Sequence, residues 1–464
     1  MIFQNSDQLK QGIEGVLGID GHVVTVLEES KLRNTLIDDL IYTAVFCSDS
    51  GTKEAARWLI RRAGVSLGII SSSIQSLYEA MGRKEVGGFT VPAINLRGIA
   101  YYSAQAVFRA AVKDNVGALI FEIARSEIGY TDQRPDEYTT AVTAAAIKTG
   151  FQGPLFLQGD HFQINAKKFA QDPEGEVNTV KELIREAIAG GFYNIDIDPS
   201  TVVDLSKPTI KEQQENNYLI NADLTVLIRS IEPKGITVSI GGEIGEVGGK
   251  NTTVEEFKIF MDSYLDELKK KGEGLKGISK ISIQTGTTHG GVPLPDGSIA
   301  KVKIDFATLE NISKVARSEY GLSGAVQHGA STLPSEAFNK FPKTETAEIH
   351  LATGFQNIIY DSDSFPADLK DKIYEFINTE LREEKKEKDT EEQFIYKTRK
   401  KGFGPFKKAM WELPSSVLEA IGKELEDQFS FLFDQLNVRN TTDIVAKHVK
   451  PVDVIPLEVP QSLL

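Results

Sequence analysis

The chain contains six histidines, and four of them, His161, His289, His328 and His350, fall at or near the ends of runs that read as β-strands. A single strand histidine is more often a hydrogen-bonded core residue than a ligand. Three imidazoles brought from three strands to one place, with a coordination position left open, are a common arrangement for catalytic zinc. His161, His289 and His328 are therefore read as ligands of one divalent cation. Asp160 stands directly before His161 in QGDHFQ, where it can face the reacting atoms as a general acid/base. Glu243, in GGEIGEVGG, ends another strand and is read as a further ligand or as a group that orients a histidine. Small residues follow two of the histidines, as QTGTTHGG and QHGAS, and let backbone N–H groups come close to an anion.

These residues need a scaffold that gathers strand ends. From about residue 86 short β-rich runs alternate with longer amphipathic stretches. The runs are GFTVPAIN (88–95), GALIFEIA (117–124), GPLFLQGD (153–160), YNIDID (193–198), ITVSIGGEI (236–244), ISKISIQTG (278–286), LSGAVQHG (322–329) and AEIHLAT (347–353). Helical patterns such as VNTVKELIREAIAGG and TLENISKVARSEYG lie between them, several ending in Gly. Eight strand–helix units in a row predict parallel pairing with right-handed crossovers. Eight strands also close a (β/α)8 TIM barrel, assigned to residues 86–365. An open doubly wound sheet is the competing reading, but it would gather its chemistry at one switch point, whereas polar residues end nearly every strand here.

Residues 1–85 read as a mostly helical extension packed on the barrel, with one hairpin-like run, HVVTVLE. Residues 366–464 read as a C-terminal helical extension. Its charge run ELREEKKEKDTEEQ (380–393) is taken as a solvated face, and VKPVDVIPLEVPQSLL as an extended tail lying on a neighbouring surface, of this chain or of a second subunit.

A net charge of −14 opposes nucleic-acid binding through a general basic surface. It leaves open a small anionic substrate held by local donors. The single cysteine, Cys47, rules out an intramolecular disulfide and a thiolate metal cluster. With no basic-then-apolar leader at the start and no apolar run of membrane-spanning length, the expectation is a cytoplasmic protein with no membrane partner.

The segments VPAINLR, LQGDHFQ, AIAGGFYNIDIDPS, GGEIGEVGG, QTGTTHGG and QHGASTLP, in this order across residues 86–360, resemble the class II, metal-dependent fructose-bisphosphate aldolases and their tagatose-bisphosphate relatives. The resemblance implies catalytic zinc, or another divalent transition metal, on His161, His289 and His328, with Glu243 as an additional ligand or near neighbour. It implies Asp160 as acid/base on the C4 hydroxyl and Asn95 on the substrate or its enediolate. Ser126, Gly290, Gly329, Ser331 and Thr353 would hold phosphate. A monovalent cation, K+ or Na+, near the glycine loops and a homodimeric or larger assembly are also implied. The activity implied is cleavage or formation of the C3–C4 bond of a ketose bisphosphate, with fructose 1,6-bisphosphate as the leading substrate. The alternatives are a tagatose-bisphosphate or other ketose-phosphate aldolase, a different zinc-dependent barrel enzyme, and a non-catalytic partner subunit.

Four departures from the family pattern stand out. Lys250 and Asn251 occupy positions after Gly248–Gly249 where acidic residues are usual, which leaves Glu246, Glu255 or Glu256 as substitutes. The eighth strand reads His350-Leu-Ala352-Thr353 in place of an Asn-x-Asp-Thr pattern. The first 85 residues have no counterpart in the short forms, and the C-terminal extension is longer than usual. A Schiff-base mechanism fits less well, because Lys280 lies near the start of its strand, away from the mouth.

Overall fold

Each barrel strand is a short apolar run with no polar face turned to water, as expected for parallel strands covered by helices on one side and by barrel contents on the other. The computed structural model describes residues 2–245, 250–287, 294, 304–454 and 458–464. The strands are β1 (Leu17–Asp20), β2 (Val23–Val26), β3 (Ile69–Ser72), β4 (Val91–Asn95), β5 (Ile120–Ala124), β6 (Gly153–Gln163), β7 (Asn194–Asp198), β8 (Ser239–Glu243), β9 (Lys280–Ile283), β10 (Ala325–Gln327) and β11 (Glu348–Leu351). Every residue of β4, β5 and β7 is buried.

Strands β4 to β11 are the eight expected from the sequence, in the expected order. They pair in parallel as β6-β5-β4-β11-β10-β9-β8-β7, and a β6–β7 pairing closes the ring into a (β/α)8 barrel. Helices between the strands cover its outside, for example Ala100–Asp114 after β4 and Pro173–Ala189 after β6. The open-sheet alternative is thereby excluded.

The N-terminal region carries the expected hairpin, β1–β2, and helices such as Ser50–Ser66. It also supplies β3, which the sequence pattern does not anticipate. Ile69–Ser72 pair with Gly153–Phe156 at the start of β6. The helix Gln75–Gly82 follows, and its buried Tyr78 donates a hydrogen bond to Glu348 at the start of β11, so this helix covers the N-terminal end of the barrel strands. The C-terminal region is helical, with Ser415–Gln435 packed on Ala100–Asp114. Residues of the charge run pair among themselves at the surface, Arg382 with Glu391 at 2.6 Å and Lys385 with Glu391 at 2.8 Å. The tail lies against this chain's own N-terminal helices: Arg62 binds Asp453 at 2.9 Å, and Ser462 donates to the Gly51 carbonyl at 2.8 Å.

Candidate active site and metal centre

The central feature is a bulge in β6. Gly159 pairs with Ile195 and Phe162 with Ile197, so Asp160 and His161 together face the single residue Asp196. An extra residue breaks the alternation that would send neighbouring side chains to opposite faces. His161 takes a left-handed conformation, φ +41°, which is uncommon for a residue with a side chain and marks a constrained position. The result is that Asp160 and His161 line one cavity of about 540 Å³ at the C-terminal end of the barrel strands.

His328, just past β10, faces them. Its ring centroid lies 4.3 Å from that of His161, and one donor atom each from Asp160, His161 and His328 fall within 4.8 Å of one another. The Oγ of Ser282 is 2.9 Å from Nε2 of His328, and Thr287 donates to the His328 carbonyl at 2.8 Å. His161 Nδ1 lies 3.0 Å from Asp198 and 3.1 Å from Glu243. Asp198 also accepts hydrogen bonds from Gln163 and Ser200, each at 2.6 Å. Burial alone would lower the pKa of His161, but Asp160 and Glu243 outweigh it and push it well up. Burial, reinforced by the charge of Asp198, raises Glu243 to about 7. Imidazoles interleaved with carboxylates suit a divalent transition metal such as zinc, and that donor set fits the cation the sequence implies.

The other expected residues fall as follows. Asn95 ends β4, donates to Glu127 at 2.5 Å, and leaves its Oδ1 buried with no hydrogen-bond partner among the described residues. Ser126, Gly329, Ser331 and Thr353 all line the cavity. The Ser331 hydroxyl accepts from the Ala352 N–H at 2.7 Å. His289 and Gly290 lie outside the described residues, as do Glu246 and Gly248–Gly249. Of the candidate fifth-loop acids, Glu256 is taken up in a capping box: its carboxylate accepts from Thr253 N, and Thr253 Oγ1 accepts from Glu256 N. Neither Glu255 nor Glu256 lines the cavity.

Arg97, Arg125 and Lys400 are cavity residues to which the sequence reading gives no role. Arg97, just after β4, donates to Glu127 at 2.6 Å and to Thr353 at 3.2 Å. Arg125, just after β5, holds Glu176. Both line the cavity, as does Lys400 from the C-terminal region. His350 packs against His328, with ring centroids 4.0 Å apart and the planes tilted by 39°. Its Nδ1 lies 2.9 Å from Glu122 and 3.2 Å from Asp160, and its Nε2 lies 2.6 Å from Glu348. Below it Lys280 is fully buried and paired with Glu348 and Asp196, the latter at 3.0 Å, and donates to Gln158 at 2.7 Å. Gly241 makes room for this layer, since a Cβ there would come to 2.3 Å from Asp196 and 2.8 Å from Lys280. Period-two spacing in IFEIA and NIDID was the available signal for Glu122, Asp196 and Asp198: alternate strand residues share a face.

Comparison with known proteins agrees with this architecture. No curated protein matches the sequence. Among solved structures, the chain is similar to a probable tagatose 6 phosphate kinase from Sinorhizobium meliloti 1021, at 14% identity and a TM-score of 0.52 over 77% of this chain and 98% of that one. It is similar to the fructuronate-tagaturonate epimerase UxaE from Cohnella laeviribosi, at 11% identity and 0.55, covering 86% and 90%. It is also similar to the fructose-bisphosphate aldolase of Campylobacter jejuni, at 17% identity and 0.48, covering 80% and 96%. For the first two, at TM-scores above 0.5, the likeness is one of fold. The family model described as "Fructose-bisphosphate aldolase class-II" matches residues 75–424, most of the chain, and the protein belongs to that family.

Proposed function

We propose that the protein is a divalent-metal-dependent aldolase that cleaves or forms the C3–C4 bond of a ketose bisphosphate, with fructose 1,6-bisphosphate as the leading substrate. The observation that carries this reading is the β6 bulge, which turns Asp160 and His161 into the cavity that His328 faces. His161 and His328 would hold the cation with Glu243 beside them, and His289 completes the set read from the sequence. A cation so held supplies Lewis-acid stabilisation of the negative charge that cleavage places on the substrate's oxygens, a contribution of several kcal/mol.

The side chains of this chain do the rest. In the cleavage direction Asp160 accepts the proton of the C4 hydroxyl as the C3–C4 bond breaks and the aldehyde forms. The bonding pair passes into the C2 carbonyl, giving the enediolate of the three-carbon ketone phosphate. Asn95, through its unsatisfied Oδ1, binds a hydroxyl of the substrate or of that enediolate. Ser331, Gly329 and Thr353, beside Arg97, receive one phosphate, and Ser126, next to Arg125, stands at another wall of the cavity. A Schiff-base route through Lys280 is disfavoured. Lys280 is buried between two carboxylates that raise its pKa, whereas a carbonyl-attacking lysine needs a free amine. No helix among the described residues is long and apolar enough to cross a membrane. A cytoplasmic setting and a homo-oligomeric assembly complete the proposal.

Dialysis against a chelator, followed by a cleavage assay on fructose and tagatose 1,6-bisphosphates, tests the reading. Activity should fall by roughly 100-fold or more and return with zinc or cobalt. Full activity after chelation, or borohydride trapping of substrate on a lysine, would overturn it.

A further inference from the structure

The chain returns to the barrel mouth at residues 399–407, RKKGFGPFK, far beyond the last strand. Three side chains dock this segment. The buried guanidinium of Arg399 holds Asp361 at 2.6 and 2.8 Å and Asn357 at 2.7 Å, and lies over the rings of Tyr360 and Tyr396. Phe403 packs on Tyr360 with ring centroids 4.9 Å apart, and it sits so close to Gly98 that a Cβ there would come to 2.1 Å. Lys407 pairs with Glu137 and donates to the Asp132 carbonyl. Lys400 stands between these anchors and lines the same cavity as Asp160 and His161, its Nζ 5.7 Å from the Tyr130 ring.

A long lysine normally reaches for water or for a carboxylate. Lys400 is half-buried, and its side chain makes no ion pair or hydrogen bond among the described residues. Among the charges that act on it is a second cation, Arg97. A carboxylate that acts on both, Glu127, is already taken up by Arg97, Asn95 and the Ala124 N–H. Burial, and then the charge of Arg97, hold the ammonium of Lys400 below its usual pKa. Two cations lining one cavity are stabilised when a dianion binds near both. A phosphate monoester offers the charge and the three acceptor oxygens to meet both, together with nearby hydroxyls.

Resting on the aldolase reading, we propose that Lys400 is a specificity residue that the C-terminal extension lends to the active site, closing with Arg97 on a terminal phosphate of the substrate beside Ser331 and Thr353. The extension is then part of the substrate site as well as a cover for the barrel. A ketose lacking that phosphate forgoes the contact.

Lys400→Gln and Lys400→Arg in the zinc-loaded full chain separate the possibilities. Binding of inorganic phosphate by calorimetry, and KM and kcat for ketose bisphosphate cleavage, are the readouts. Lys400→Gln should weaken phosphate binding and raise KM about tenfold or more while kcat stays within a few-fold, and Lys400→Arg should recover most of the loss. Phosphate binding lost in Lys400→Gln supports the anion site even if the wild-type protein cleaves no ketose bisphosphate, a result that would count against the aldolase reading alone. Unchanged phosphate binding and unchanged KM in Lys400→Gln, or no phosphate binding by the wild-type protein, would overturn the proposal.

Discussion

Two layers of charge fill the barrel, and they are balanced differently. In the lower one, Lys280 sits between Asp196 and Glu348, Tyr78 donates to Glu348, and Gln158 spans Lys280, Glu122 and Glu348. Positive and negative partners there come from the protein itself. In the upper layer three carboxylates gather about one imidazole: Asp198 at 3.0 Å, Glu243 at 3.1 Å and Asp160 at 3.8 Å from His161, with His328 alongside. Asp160, His161 and His328 of the upper layer line the cavity, whereas Lys280, Asp196 and Glu348 of the lower layer do not. A buried ion pair with its own hydrogen bonds needs nothing from solution, whereas a surplus of carboxylates beside imidazoles is a place for an added cation. The lower layer therefore reads as a structural plug and the upper as the reaction centre, with His350 joining them through Glu348 below and Asp160 above.

The sharpest way to break this contrast is to change one residue in each layer. Asp160→Asn removes the acid/base from the upper layer while keeping its shape. Turnover should fall by roughly 10²- to 10⁴-fold, with zinc content and the midpoint of unfolding close to wild type. Unchanged turnover would remove Asp160 from the chemistry. Lys280→Met strands Glu348 and Asp196 without their cation, and losing one partner of a buried pair costs about 3–5 kcal/mol of stability. Denaturant unfolding should show that loss. Should Lys280→Met leave stability intact and abolish turnover, the lower layer would belong to the mechanism and the distinction would fail.

How much of this was legible beforehand follows the same division. The eight barrel strands could be read because each is a short β-rich run, and their number, with polar residues at nearly every strand end, favoured closure over an open sheet. Strand β3 could not, since Ile69–Ser72 is too short to show a period and forms only by pairing with β6. In the upper layer Asp160 and His161 stood out because histidine is rare in this chain. The lower layer was harder to read: Glu122, Asp196 and Glu348 are common residue types whose inward direction depends on strand phase, and Lys280 was weighed only as a Schiff-base candidate. His350 was noticed as a strand-end histidine, yet nothing local tied it to Asp160 rather than to the metal. Lys400 lies some 240 residues from His161 (400 minus 161 is 239), and only the docking of Arg399 and Phe403 brings it to the mouth. Glu256, weighed as a fifth-loop acid, is instead explained by the Thr253 capping box, a signal present in the sequence as T-x-x-E.

The most direct test of the central claim is anomalous scattering at the zinc edge from crystals of the zinc-loaded protein. The account predicts a peak bonded to the imidazoles of both His161 and His328, beside Asp160. A zinc peak coordinated elsewhere, with those two rings left without it, would contradict the account.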